Sequence, residues 1–192
     1  MMFEAQTEWI APDNFPNLSG YKFISIDLET RDPDLKSKGS GSVIGNGEII
    51  GVAVAVDGWC KYYPFGHEGG GNLDKKKILS WLKDICATDS TKIFHNAMYD
   101  VCWLRSYGIK VNGHIMDTMV MASLVDENRM RYTLNALSWE YLGERKSEAT
   151  LFEIAKNWGI DPKAELYKLP AIYVGEYAEK DASLTLDLFK RL

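Results

Sequence analysis

Apolar and polar positions along the chain change period several times, and each change marks an element. Residues 21–30, Tyr-Lys-Phe-Ile-Ser-Ile-Asp-Leu-Glu-Thr, carry Phe23, Ile24 and Ile26 between Gly20 and Pro33, which predicts a buried β-strand. Residues 48–56 form a β-branched run, Asp57-Gly58 a hairpin turn and residues 59–65 a second strand, so the first three strands predict an antiparallel meander. Ile78, Leu79, Leu82 and Ile85 then recur at helical spacing within 73–86. Residues 92–96 predict a short strand running into a helix over 97–107, which has Val101, Trp103 and Leu104 at helical spacing and Gly108 as its stop. A brief strand over 111–115 follows, and Asp117 is placed to cap a helix reaching about residue 124. Further helices are expected over 133–142, with Leu134, Leu137 and Tyr141 inward and Gly143 as the stop, and over 151–158. Pro170 is expected to open a last helix to 192, with Val174, Tyr177, Ala178, Asp181, Leu184, Thr185 and Leu188 along one side.

Around these elements, residues 1–20 read as an extended arm anchored by Trp9, Ile10 and Phe15. Residues 31–47 read as a long mobile loop and 67–72 as a flexible connector. The glycines of 39–45 do not form a nucleotide loop, because no strand precedes them, no helix is expected after them and their spacing is off by one. Strands first, then strands alternating with helices, predict an α/β domain with a mixed central sheet flanked by helices, one domain over 1–192.

Composition narrows the picture. Apolar residues make up 46% and charged residues 26% of the chain, as in ordinary globular proteins, and no apolar run approaches the roughly 20 residues of a membrane span. Met1 to Gln6 lack the basic and apolar regions of a secretory signal. Cys60, Cys86 and Cys102 are odd in number, widely spaced and flanked by apolar residues, which fits reduced core thiols of an intracellular protein and not a disulfide framework or a zinc site. Twenty-two basic against 27 acidic side chains leave a net charge of −5, which argues against a general duplex-DNA binder and leaves room for a grip on a short strand end.

The candidate chemistry lies in four acids. Strand residues two apart share a face, so Asp27 and Glu29 emerge together at the end of the first strand. Asn96 and Asp100 are four apart at the start of a helix, and Tyr177 and Asp181 are four apart on the core-facing stripe of the last one. Taken singly, each acid has a structural explanation; Asp181 in particular would need a partner such as Arg31 or Arg105. Together they supply four carboxylates and a phenol from elements that can converge at one sheet edge. Oxygen-only ligands suit Mg²⁺ or Mn²⁺, and four carboxylates can hold two such ions about 3.5–4 Å apart, the separation used in phosphoryl hydrolysis. Asp117 is read as a helix cap and not as a fifth ligand.

In order and approximate spacing, Asp27-Leu-Glu29-Thr30, Asn96-Ala-Met-Tyr-Asp100 and Tyr177-Ala-Glu-Lys-Asp181 resemble the three exonuclease motifs of the DEDD superfamily. The chain is most similar there to the 3′→5′ proofreading domain of family-A DNA polymerases, particularly those of bacteriophages. Residues 15–20, 67–73, 117–118, 132–137 and 141–143 extend the likeness over most of the chain. Glu176 stands where the histidine subclass would carry its histidine, so the resemblance is to the tyrosine subclass. It implies a ribonuclease-H-like fold and a two-metal mechanism. Asp27 would bridge two divalent ions, Glu29 and Asp181 would complete the site that activates water, and Asp100 would serve the second ion, largely through water. Tyr177 would orient the attacking water, and Thr30 and Asn96 would contact the terminal nucleotide and nearby phosphate. The implied substrate is the 3′ end of single-stranded DNA, in the cytoplasm, or the host cytoplasm if phage-encoded, with a polymerase domain as partner in cis or in trans and no membrane. The competing expectations are a catalytically silent nucleic-acid-binding domain of a polymerase and a related exoribonuclease.

Overall fold

The computed structural model describes residues 7–146 and 148–192. The absence of a secretory signal at residues 1–6, and the first part of the expected arm, lie outside the described residues. Five strands, β1 (Phe23–Arg31), β2 (Glu48–Val56), β3 (Trp59–Pro64), β4 (Thr91–Phe94) and β5 (Ile115–Asp117), form one mixed sheet in the order β3-β2-β1-β4-β5. The β3-β2-β1 meander is antiparallel, as its Asp57-Gly58 turn requires, while β4 and β5 join in parallel after helical crossovers. The helices are α1 (Leu35–Lys38), α2 (Gly41–Ile44), α3 (Lys75–Ala87), α4 (Ala97–Ser106), α5 (Thr118–Val125), α6 (Leu134–Leu142), α7 (Ala149–Trp158) and α8 (Gly175–Arg191). This is the expected α/β architecture. Among the described residues, no helix is long and apolar enough to cross a membrane.

The strand alternation decides which helix covers which face. On β1, Ile24, Ile26 and Leu28 enter the core built with Ile78, Leu82 and Ile85 of α3 and Val101 and Leu104 of α4. The opposite residues, Ser25, Asp27 and Glu29, therefore face α8. On β2, Val52, Val54 and Val56 join the α3–α4 side, and the small Ala53 and Ala55 pack with Ala178 and Ala182 of α8. A row of small side chains on both surfaces lets α8 lie close to the sheet. That proximity brings Tyr177 and Asp181 to the face carrying Asp27 and Glu29. A third cluster, Ala122, Leu134, Leu137, Leu184 and Leu188, seats α5 and α6 on the far part of α8.

Several expectations are corrected. The last helix begins at Gly175, because Pro170 opens a 3-10 turn over Ala171–Tyr173 instead. Residues 31–47 contain two single helical turns, with both carboxylate oxygens of Asp32 accepting from the N–H of Gly41 at 3.0 and 3.1 Å. The 67–72 connector closes on itself, Asn72 accepting from His67 N and donating to His67 O, each at 2.8 Å. In the arm, Phe15 stacks on Tyr63 and Trp9 packs beside Tyr62, but Ile10 is 80% exposed and anchors nothing.

Candidate active site

The site forms where β1 outruns its neighbour. Parallel pairing with β4 covers only Phe23–Ser25, whereas β1 continues to Arg31. Past that point α4 replaces the strand, and the N–H of Leu28 donates to Asp100 Oδ1 at 3.1 Å. Asp100, 5% exposed in the first turn of α4, is thereby tied to the stretch of β1 that carries Asp27 and Glu29. On the other edge, a bulge between Glu29 and Thr30 leaves Ile50 of β2 as the extra residue. Glu29 is paired with Gly51, whose missing side chain makes room for Tyr62: a Cβ there would lie 2.1 Å from the Tyr62 hydroxyl.

The turn before α4 is strained and held. Asn96 is the one non-glycine among the described residues with positive φ, at 68°. Its N–H and that of Ala97 donate to Asp117 at 3.0 and 2.8 Å, and Met119 N donates to the same carboxylate at 2.9 Å. Asp117 is the cap that the sequence predicts for α5, and it caps α4 as well. Both roles engage its oxygens, Oδ1 with two N–H groups and Oδ2 with one.

Electrostatically the four acids behave as one cluster. Burial, then Asp181, pushes Asp27 up to about 7, with Lys146 opposing. Burial and the charges of Asp27 and Asp181 raise Glu29, and burial and Asp27 raise Asp100 against the Leu28 N–H. Burial raises Asp181 too, while Lys146 and then the Tyr177 hydroxyl favour its charged form. Burial and these same carboxylates hold the Tyr177 phenol firmly protonated. Relative to a free carboxylate, the charged form of Asp27 is disfavoured by on the order of 4 kcal/mol. The cluster calls for positive charge.

Lys146 supplies part of it. Its ammonium pairs with Asp181 Oδ2, lies 5.3 Å from the centre of the Tyr177 ring and is only 15% exposed. It is the partner of Asp181, in place of Arg31 or Arg105: Arg31 pairs with Glu48 at 3.8 Å, and Arg105 lies in the last turn of α4 with an exposed side chain. The other Asp181 oxygen, Oδ1, is buried without a hydrogen-bond partner. An orphaned buried oxygen among like charges, in an all-oxygen donor set, fits a hard divalent cation. Among the described residues, no three His, Cys, Asp or Glu side chains are already disposed to hold an ion between them.

A cleft of ≈ 960 Å³ opens at this point, with Glu29, Asn96, Tyr177 and Lys146 in its wall. Arg131, Tyr132 and Lys163 extend the wall with positive charge and an aromatic ring. Thr30 is not part of the wall; its hydroxyl is hydrogen-bonded to that of Tyr99 at 2.7 Å, which donates in turn to Asp32 at 3.0 Å. So five of the seven expected residues gather as one electrostatic cluster, Asn96 borders the cleft, and Thr30 is turned to Tyr99. Arg131, Lys146 and Lys163 carry no sequence signal, since nothing in their surroundings separates them from surface cations.

The chain resembles known proteins over nearly its whole length. The family model described as the 3′-5′ exonuclease of DNA polymerase A matches residues 5–192. A DNA-directed DNA polymerase of Pseudomonas phage M6 is 36% identical over 96% of this chain, which spans 29% of that polymerase. Among solved structures, RNase D of Trypanosoma brucei superposes with a TM-score of 0.66 at 19% identity, over 91% of this chain and 58% of its own. Brucella melitensis NrnC with bound Mg²⁺ does so with a TM-score of 0.56 at 20% identity, over 94% of this chain and 76% of its own. At such low identity, these structures establish the fold, which is the ribonuclease-H-like one.

Proposed function

The chain belongs to the 3′-5′ exonuclease family of DNA polymerase A, and we propose that it hydrolyses the 3′-terminal phosphodiester of single-stranded DNA, releasing nucleoside monophosphates, with two divalent ions, Mg²⁺ or Mn²⁺. The observation that carries this reading is the gathering of Asp27, Glu29, Asp100 and Asp181 beside Tyr177, with Glu29 and Tyr177 reaching the wall of one cleft. Asp27, Glu29, Asp100 and Asp181 would hold the ions, which supply an activated water and stabilise the charge on the leaving 3′-oxygen. Tyr177, kept protonated by its surroundings, orients the attacking water through its hydroxyl. Asn96 meets the terminal nucleotide from the cleft wall, and Thr30, whose hydroxyl is bonded to that of Tyr99, would have to release that bond to reach it. Arg131 and Lys163 meet phosphates, and Tyr132 offers a face on which a base can stack. The phage polymerase relative favours DNA as substrate and a polymerase domain as partner.

Digestion of a 5′-labelled single strand tests the proposal. Purified protein with Mg²⁺ shortens the strand from its 3′ end, whereas added chelator or the Asp27→Ala substitution stops it. An intact strand that is nonetheless bound would mark a silent binding domain. Faster shortening of RNA than of DNA of the same sequence would make the chain an exoribonuclease.

A further inference from the structure

Lys146 sits on the connection between α6 and α7, three residues beyond the Gly143 helix stop, where its backbone N–H donates to Asn135 Oδ1 at 3.3 Å. From there its side chain reaches the carboxylate cluster. The ammonium pairs with Asp181, and its charge acts on Asp27 and Glu29 as well. It also stands over the Tyr177 ring and borders the substrate cleft. A lysine head group is a compact point charge on a flexible stem, so it can leave this position without moving the backbone. Asp181 offers it one oxygen and keeps the other unpartnered. The position of the ammonium is therefore one that a divalent ion bound to Asp181, Asp27 and Glu29 would contest: two cations cannot share those oxygens without repulsion.

We propose that Lys146 is a resident counter-cation that competes with the divalent ion for Asp181, stabilising the cluster when metal is scarce and setting how much metal the site needs. This rests on the metal-dependent reading above. The two bindings are linked, so the competition is reciprocal: whatever affinity the lysine has for the cluster is subtracted from that of the ion.

The test uses the whole chain and reads binding and stability, not activity. Mn²⁺ titrations by calorimetry, all at one buffered pH of about 8, compare the native protein with Lys146→Met and Lys146→Gln. Both variants should bind Mn²⁺ about fivefold or more tightly than the native protein. In chelator both should melt several degrees lower, and saturating Mn²⁺ should close that gap. Unchanged or weaker Mn²⁺ binding in both variants overturns the proposal, because it would make the lysine a bystander or a helper of the metal. Should neither the native protein nor the variants bind Mn²⁺, the metal-dependent function itself fails, and the competition with it; binding only in the variants would be its strongest support.

Discussion

The carboxylate of Asp100 and the backbone N–H of Leu28 are hydrogen-bonded at 3.1 Å, fixing α4 to β1 between Asp27 and Glu29. One side chain thus has a scaffolding oxygen and a candidate metal-binding charge, and the two can be separated. Asp100→Asn keeps an acceptor for Leu28 and removes one like charge, so stability should stay within about 1 kcal/mol of the native value. Exonuclease activity should fall by at least about 100-fold, since even indirect partners of metal ligands are worth 10–100-fold. Asp100→Leu should lose activity and about 1–3 kcal/mol of stability as well, by stranding the Leu28 N–H. Chemical denaturation beside digestion of a labelled strand reads both quantities.

Asp117 accepts three backbone N–H groups, from Asn96, Ala97 and Met119, and so supports two helix starts at once. Asp117→Ala should cost about 2–3 kcal/mol, more than an ordinary cap of about 1 kcal/mol. Asn96→Gly should leave stability nearly unchanged, because glycine accepts the positive φ of 68°. That variant tests the side chain alone: a rise in KM for a short single strand, without a loss of melting temperature, would assign Asn96 to substrate contact. An unchanged KM would remove it from the site.

A Cβ on Gly175 would lie 2.0 Å from Cε2 of Trp9, whose indole N–H donates to Glu179 Oε1 at 2.9 Å. The same oxygen accepts from Tyr62 N at 3.1 Å, so the arm, the start of α8 and β3 meet there. Gly175→Ala should therefore destabilise by about 1–3 kcal/mol through overpacking. In a Trp9→Ala background the same substitution should cost little, and a double-mutant cycle should show coupling above about 0.5 kcal/mol. Additive effects would mean that the arm is not seated against α8.

His67 is buried between the Tyr62 hydroxyl at 2.7 Å and the Leu169 carbonyl at 2.9 Å. Burial lowers its pKa from 6.5 to about 4, the Leu169 carbonyl opposing. A depressed histidine folds neutral, so its contribution is intact above pH 6.5 and is lost as the pH falls toward 4, where the unfolded chain takes up the proton first. Between about pH 7.5 and 5 the loss should be about 2 kcal/mol. His67→Gln does not titrate, so the stability advantage of the native protein over this variant should shrink by that amount across the same range. A constant difference in denaturant unfolding would show that His67 titrates normally.

Much of this protein was legible in the chain because backbone geometry is local. A period of two puts Asp27 beside Glu29 and gives β2 its alternation of small and branched residues; a period near 3.6 puts Tyr177 and Asp181 on one side of α8. The Asp57-Gly58 turn dictates the antiparallel meander, and Asp117 announces a helix start. Hence four of the five strands and most helix limits follow from spacing, whereas β5 begins at Ile115, where the strand expected over 111–115 ends, and spacing picks out the four acids only as pairs and single positions. The contacts that complete the site join segments far apart in sequence: Leu28 with Asp100, Asp117 with Asn96, and Lys146 with Asp181 across 35 residues. Which lysine meets a buried aspartate, or which hydroxyl Thr30 bonds, depends on where the chain returns after each loop, and no local pattern encodes that. Packing of α8 on the small residues of β2 brings the acids together, and that depends on the whole sheet being assembled.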